Sequence, residues 1–339
     1  MLTDATPPPS VGLSCYTENL AGYLSARVPG SAGLLARSVR LAVDPGTGRF
    51  SHHDRALDNL PCGTRLSYRG APDARTALRG IAAELAERSR VLVVADSAAL
   101  PWVRGTADEH APHLVLVDGR TEEGDWHVVD GFSALFSGGA SQEPFSGVLS
   151  TTELTALLAF PRGLSEVHRT RNTLAFGFPV APPPYETYQW LAEERGSTEE
   201  RLPGPWLTGP PALARTARLL LDDLTGEAPH GVLEDVWAAA QHHLFRDDHL
   251  LATVGDTLSP EERQVLGVTT AKWRELPRML RFAANSARRG RPRPSLIESA
   301  FAALADAEEQ AAPLLRGRGY AAPAAVPVVR PLARQGGRP

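Results

Sequence analysis

The first 160 residues combine helical spacing of apolar side chains with short apolar runs. Between residues 15 and 26 the apolar positions recur at i, i+3 and i+4, which predicts a helix that begins at Cys15. The same spacing predicts a helix over 74–88. Apolar runs predict buried strands over 90–96, 113–117 and 126–129. Because the segment between the last two strands is polar and contains glycine, we expect them to form an antiparallel hairpin.

Two further elements complete this half. A short helix and a strand are predicted over 30–44, followed by a turn at 44–48. Ser150 and Glu153 have the spacing of a capping box, so a helix is expected to begin there and run through Leu158.

Beyond residue 160 the periodic segments are helical and are interrupted by proline-rich stretches. Helices are predicted over 185–194, 212–224, 232–244, 260–266, 269–288 and 294–315. The stretch from Arg316 onward is rich in Ala, Pro, Arg and Gly, and we expect it to be disordered. The pattern therefore predicts an α+β protein with an N-terminal mixed domain (1–160), an all-α domain (161–315) and a tail (316–339).

Composition narrows the function classes. The chain has 339 residues, 42% hydrophobic and 22% charged, which is ordinary for a folded globular protein. A formal net charge of −4 gives no general attraction to nucleic acid or an anionic membrane, so neither is expected as a partner. No secretory leader pattern is recognisable, so we expect a cytoplasmic protein without structural disulfides. The scarcity of lysine beside abundant arginine and alanine is typical of GC-rich bacteria.

A lone thiol stands at the predicted start of the first helix. A thiolate is the reactive form of cysteine, and a helix N-terminus and a nearby imidazolium both favour it. His113 begins one strand of the predicted hairpin and Asp130 ends the other, so the two are expected to be cross-strand neighbours. The sequence thus predicts a triad in which Cys15 is the nucleophile, His113 the base and Asp130 the acid that orients the base.

Other candidates are weaker. Asp118 and His127 fall at the opposite end of the hairpin and form an alternative His–Asp pair, which is the second choice for the catalytic base. Cys62 lies between Pro61 and Gly63, without a helix start, and is expected to be inert. Solvated or packing roles are favoured for five further histidines, since no zinc-ligand spacing completes a site: His52, His53, His242, His243 and His249. Walker A, GxGxxG and GxSxG motifs are absent from the sequence, and we expect no cofactor or metal.

Four segments carry a family resemblance: Cys15-Tyr-Thr-Glu-Asn-Leu20, residues 90–102, residues 112–119 and residues 126–132. Together they resemble the N-terminal domain of the butirosin biosynthesis protein H-type cysteine acyltransferases, and more distantly the papain-like peptidases. The resemblance covers residues 10–160 and extends more weakly into the helical half. It implies a papain-like catalytic domain whose cleft is covered by the helical domain.

The same resemblance implies a reaction and its partners. An acyl carrier protein, or another thioester donor, would acylate Cys15, and a small-molecule amine acceptor of specialised metabolism would then take the acyl group. A hydrolase (peptidase, amidase or thioesterase) is the alternative, and a non-catalytic binding component of a biosynthetic assembly is the second alternative.

Residues around the triad are assigned supporting roles. Papain-like peptidases place a glutamine several residues before the cysteine, but here that stretch is Thr6-Pro-Pro-Pro-Ser10. The backbone N–H of Cys15 is therefore expected to stabilise the oxyanion, helped by Ser10, Ser14 or Asn19. The aromatic residues Trp102, Trp126 and Phe132 are candidates for the wall of an acyl channel, with Phe136 beside them.

Overall fold

The computed structural model describes residues 12–57, 59–60, 63–104, 110–135, 141–159, 187–197, 205–225 and 231–321. Within them it is a mixed α+β protein with a large helical C-terminal region. Eight helices are described: α1 (Cys15–Arg27), α2 (Ser31–Ser38), α3 (Ala74–Arg88), α4 (Thr151–Leu157), α5 (Gly209–Thr225), α6 (Val232–Val254), α7 (Pro260–Arg288) and α8 (Pro294–Gly317). None of them has both the length and the apolar character needed to cross a bilayer.

Thirteen strands are described in the same residues. They are β1 (Val39–Val43), β2 (Phe50–His53), β3 (Asn59–Leu60), β4 (Thr64–Ala71), β5 (Val91–Asp96), β6 (Val103–Arg104), β7 (Pro112–Arg120), β8 (Trp126–Asp130), β9 (Ala134–Leu135), β10 (Ser141–Gln142), β11 (Phe145–Leu149), β12 (Tyr188–Arg195) and β13 (Leu207–Thr208).

The main sheet is antiparallel and has the strand order β11-β8-β7-β5-β12-β4-β3. Side chains on its central strands alternate between two cores, as strand geometry requires. Leu92 and Val94 of β5 pack with α1, whereas Val91 and Val93 pack with α3 and α4. The central strands are buried on both faces, which explains their uninterrupted apolar runs.

The helical region forms its own core. Helices α5 to α8 pack around Trp273, Leu276 and Phe301, and β1 and β2 contribute Val43 and Phe50 to the same cluster. The second half of the chain is thus tied to the first through apolar contacts.

Most predicted elements are confirmed, including the 120–125 hairpin and the capping box that begins α4. Two predictions beyond residue 160 are wrong: the helix over 185–194 and the all-α character of 161–315. Residues 188–195 form strand β12 in the main sheet, and strand β13 pairs with β1. The tail prediction is also wrong at its start, since α8 runs to Gly317 and Tyr320 is buried. Residues 322–339 lie outside the described residues.

Candidate active site

The three predicted triad residues come together at one end of the main sheet. Cys15 is the first residue of α1, and Ser14 caps that helix by accepting a hydrogen bond from the Thr17 backbone N–H. His113 is the second residue of β7 and Asp130 is the last residue of β8. Because β7 and β8 run antiparallel, the start of one lies beside the end of the other, and His113 Nε2 is 2.7 Å from Asp130 Oδ2.

The imidazole of His113 also hydrogen-bonds to the Cys15 side chain. Since Nε2 is engaged by Asp130, Nδ1 is the nitrogen that faces the sulfur. Burial lowers the pKa of His113, but the charges of Asp130 and Cys15 and the hydrogen bonds to both outweigh it and raise the pKa to about 10. His113 is therefore an imidazolium at neutral pH, placed between a thiol and a carboxylate.

Asp130 is completely buried, and its hydrogen-bond partners in the described part of the chain are all donors. Burial raises the pKa of this carboxyl group, yet the His113 charge and the donated hydrogen bonds hold it below its usual value. Its donors are His113 Nε2 (2.7 Å), Gln142 Nε2 (2.6 Å) and Trp102 Nε1 (3.0 Å) on Oδ2, and Asn19 Nδ2 (2.8 Å) and the Phe132 backbone N–H (3.1 Å) on Oδ1. A buried carboxylate held this way is a fixed negative charge.

Asn19 connects the helix that carries Cys15 to the hairpin that carries His113 and Asp130. Its Nδ2 donates to Asp130, to the Leu114 carbonyl (2.8 Å) and to the Cys15 carbonyl (3.2 Å), while Oδ1 accepts from the Gly131 N–H (3.1 Å). Both ends of the amide are hydrogen-bonded within the protein, so the contacts of Asn19 position Cys15 and Asp130 relative to each other.

The structure places two more of the residues predicted near the thiol, Ser14 and Phe132. The Ser14 hydroxyl is engaged with Thr17, 2.9 Å away. Phe132 lies 5.6 Å from the His113 ring, centroid to centroid. Ser10, Cys62 and Phe136 lie outside the described residues.

The two predicted tryptophans are placed differently. Trp102 donates to Asp130 and stacks on Phe145 at 4.1 Å, so its ring is occupied on one face. Trp126 is buried on the α3 side of the sheet, in a different core from Cys15, and its indole N–H donates to Thr151. The prediction of a substrate contact for Trp126 does not fit this position, because the sheet separates its ring from the thiol.

Asp118 and His127 do pair, at the opposite end of the hairpin. His127 Nδ1 is 2.5 Å from Asp118 Oδ1, and both side chains are partly exposed. This pair is remote in the hairpin from Cys15, which leaves His113 as the histidine that contacts the thiol.

Residues of the helical region lie directly against this site. Trp237 on α6 meets the Phe132 ring edge to face, with 6.0 Å between centroids. Five residues further along α6, His242 Nε2 accepts a hydrogen bond of 3.3 Å from the Ser14 backbone N–H. Cys15 is 8% exposed as a result of this packing and its own core contacts.

His242 belongs to a buried cluster with His52, His53 and His243. Burial lowers the pKa of all four, to about 3 for His52 and about 4 for His243. Of the solvated or packing roles that the sequence favours, these four histidines have packing roles, with ring contacts such as His52 to His242 at 5.1 Å. Among the described residues, no group of three or more His, Cys, Asp or Glu side chains is arranged to hold a metal ion.

Two contributors could not be inferred from the sequence. Gln142 lies on the two-residue strand β10, far too short to show a periodic pattern. His242 reaches Ser14 across 228 positions of sequence. Neither contact leaves a local signal in the chain.

Comparisons with known proteins do not identify a family. No protein-family model matches the chain, and a search of curated proteins gave no match.

Proposed function

We propose that the protein is a cysteine-dependent acyltransferase with a papain-like catalytic domain. Its donor would be a carrier-protein thioester, its acceptor a small-molecule amine, and its intermediate an acyl group on Cys15. The observation that supports this most directly is the buried chain of contacts from the Cys15 thiol through His113 to Asp130.

The charge distribution favours a reactive thiolate. An imidazolium beside the sulfur and the N-terminus of the 13-residue helix α1 both stabilise negative charge on Cys15. Asp130 in turn stabilises the imidazolium and fixes which nitrogen faces the thiol. The three groups thus have the arrangement that nucleophilic catalysis by cysteine needs.

The reaction runs in two halves. The Cys15 thiolate attacks the thioester carbonyl, and collapse of the tetrahedral intermediate breaks the bond to the carrier sulfur, which takes a proton from His113. An amine then attacks the acyl-enzyme and gives a proton to His113, and the Cys15 thiolate leaves. Thiol and amide are the products, and the thiolate–imidazolium pair is restored.

Transfer in place of hydrolysis is supported by the cover over the thiol. Trp237 and His242 of the helical region contact Phe132 and Ser14, which flank the triad. An enclosed acyl-enzyme is shielded from bulk water, so a bound amine can compete for the acyl group.

The test is intact-protein mass spectrometry after incubation with acyl thioesters, followed by product analysis with and without amines. The expected result is one acyl adduct on wild-type protein, none on Cys15→Ala, and an adduct on the control Cys62→Ala. An amine should shift the product from acid to amide. Acylation of Cys15→Ala at the wild-type rate would refute the assignment of Cys15 as the nucleophile. Acid as the sole product with every amine tested would refute acyl transfer and favour a hydrolase.

A further inference from the structure

Positive charge is concentrated on α7 and the turn that follows it. From residue 272 to residue 293 the chain has eight cations and one acid, a net charge of +7, whereas the whole chain carries −4. We call these cations the basic surface: Lys272, Arg274, Arg278, Arg281, Arg288, Arg289, Arg291 and Arg293.

The helix presents this charge to solvent along one side. Its buried positions include Trp273, Leu276 and Leu280, which face the helical core. Arg274, Arg278 and Arg288 are exposed and recur at helical spacing.

Phe282 lies among these cations and is 56% exposed, and the Arg293 guanidinium sits over its ring at 5.9 Å. An exposed aromatic side chain next to arginine is a typical composition for the centre of a protein interface.

The basic surface lacks internal compensation. Within the described part of the chain, none of its cations forms an ion pair. Their polar contacts are confined to Arg288 with Asn285 and Arg293 with Ser286. Other arginines are compensated, since Arg27 is paired with Glu193 and Arg246 with Glu308. Uncompensated like charges repel each other and destabilise the fold, so a partner that neutralises them would gain electrostatic energy.

We propose that the basic surface docks an acidic, helical acyl carrier protein, the partner that would deliver the thioester to Cys15. The inference rests on the proposed acyltransferase function. An acidic helix can place carboxylates opposite arginines spaced by four residues and an apolar side chain against Phe282. A nucleic acid or an anionic membrane fits less well, because the rest of the chain carries a net charge of −11 and would repel an extended polyanion.

The basic surface begins close to the catalytic layer. Trp273, the residue before Arg274, stacks on His243 with 3.9 Å between ring centroids. His242, the residue before His243 on α6, accepts the hydrogen bond from the backbone N–H of Ser14, next to Cys15. Both α7 and α6 therefore lie between a carrier protein on the basic surface and Cys15, and its flexible prosthetic arm would reach the thiol past these two helices.

The experiment compares charge reversal on this surface with the same change elsewhere. Arg274→Glu/Arg278→Glu reverses two exposed cations on α7, and Arg75→Glu/Arg79→Glu reverses two exposed cations at the same spacing on α3. Each protein is assayed for acylation of Cys15 by a butyryl-loaded bacterial acyl carrier protein and by butyryl-N-acetylcysteamine. Binding of the holo carrier protein to the Cys15→Ala enzyme is measured separately by fluorescence anisotropy.

The α7 variant is expected to raise KM for the loaded carrier on the order of tenfold or more, to weaken holo-carrier binding equally, and to act normally on the small thioester. The α3 variant should match wild type. In the Cys15→Ala background, the same holo-carrier affinity with and without either charge reversal, or no binding when neither is present, would overturn the docking proposal even if the small thioester acylates Cys15. Tighter binding of duplex DNA or anionic vesicles than of the carrier, lost in the α7 variant, would also overturn it. Carrier binding that depends on Arg274 and Arg278 without acylation by either donor would instead refute the proposed function.

Discussion

Asp130→Asn removes one charge from the site with almost no change in shape, and its effect can be worked out from the contacts. Asp130 is the largest influence that raises the pKa of His113. Without it, burial dominates, as it does at His52, where the pKa is lowered to about 3. His113 would then be neutral at pH 7, and Cys15 would behave as an ordinary thiol with a pKa near ~8.5.

The pH dependence of alkylation measures this change. An ordinary thiol is about one part in 300 thiolate at pH 6, so the Asp130→Asn rate with iodoacetamide should rise on the order of 100-fold between pH 6 and pH 8.5. The wild-type rate should change less than about threefold, because the thiolate–imidazolium pair already exists at pH 6. Both proteins carry Cys62→Ala, so that Cys15 is the one cysteine left to be alkylated. The comparison is between alkylation rates of the same protein at two pH values, so a difference in intrinsic thiolate nucleophilicity between the two proteins does not affect it.

Asp118→Asn is the matched control, since it removes the carboxylate of the pair at the other end of the same hairpin. It should keep the flat profile. Melting curves are needed beside the kinetics, because every Asp130 partner is a donor and the new amide would face at least two of them, at about 2–6 kcal/mol of lost stability. A folded Asp130→Asn protein with a flat profile would refute the argument that Asp130 sets the charge of His113.

Three further predictions test the site and its framework. Cys15→Ala should abolish acyl transfer while the melting temperature stays within a few degrees of wild type, and unfolding of this variant would contradict a purely chemical role. Gly80→Ala should lower the free energy of unfolding by about 1–3 kcal/mol in denaturant titrations, because its Cβ would overlap the Trp190 indole. The control Gly267→Ala has open space around the new Cβ and should be neutral or slightly stabilising, so equal effects would argue against α3 packing on β12. Burial lowers the pKa of His52 to about 3, so this histidine should contribute folding stability that is fully present above pH 6.5 and falls by about 1.4 kcal/mol per pH unit below it. His52→Phe should reduce this slope in denaturant titrations, and an unchanged slope would contradict the assignment.

Local signals in the sequence were sufficient for the elements that carry the triad. The hairpin was predictable because its turn is polar and its strands are apolar, and the start of α1 because apolar spacing begins at Cys15. Contact between His113 and Asp130 then followed from antiparallel geometry alone. The prediction failed at β12, where the strand sequence Tyr188–Arg195 ends in charged residues that resemble an exposed helix. Its pairing with β4 and β5 is a tertiary effect that overrides local preference.

The contacts that complete the site depend on distant parts of the chain. Gln142 reaches Asp130 from a two-residue strand, and Trp237 and His242 come from α6. No periodicity in the sequence relates these positions to Cys15. Such contacts become predictable only when the packing of the helices on the sheet is known.

The register of the β7–β8 hairpin connects packing to chemistry. A shift by one residue would move every side chain of β8 to the other face of the sheet. Val128 would leave the α3 side for the α1 side, and Asp130 would lose the donors that surround it. Burial of the Val128 side chain therefore opposes the same slip that would separate Asp130 from His113. The triad geometry is stabilised by the apolar core of the hairpin, so core substitutions that loosen the register should reduce Cys15 reactivity without touching the site.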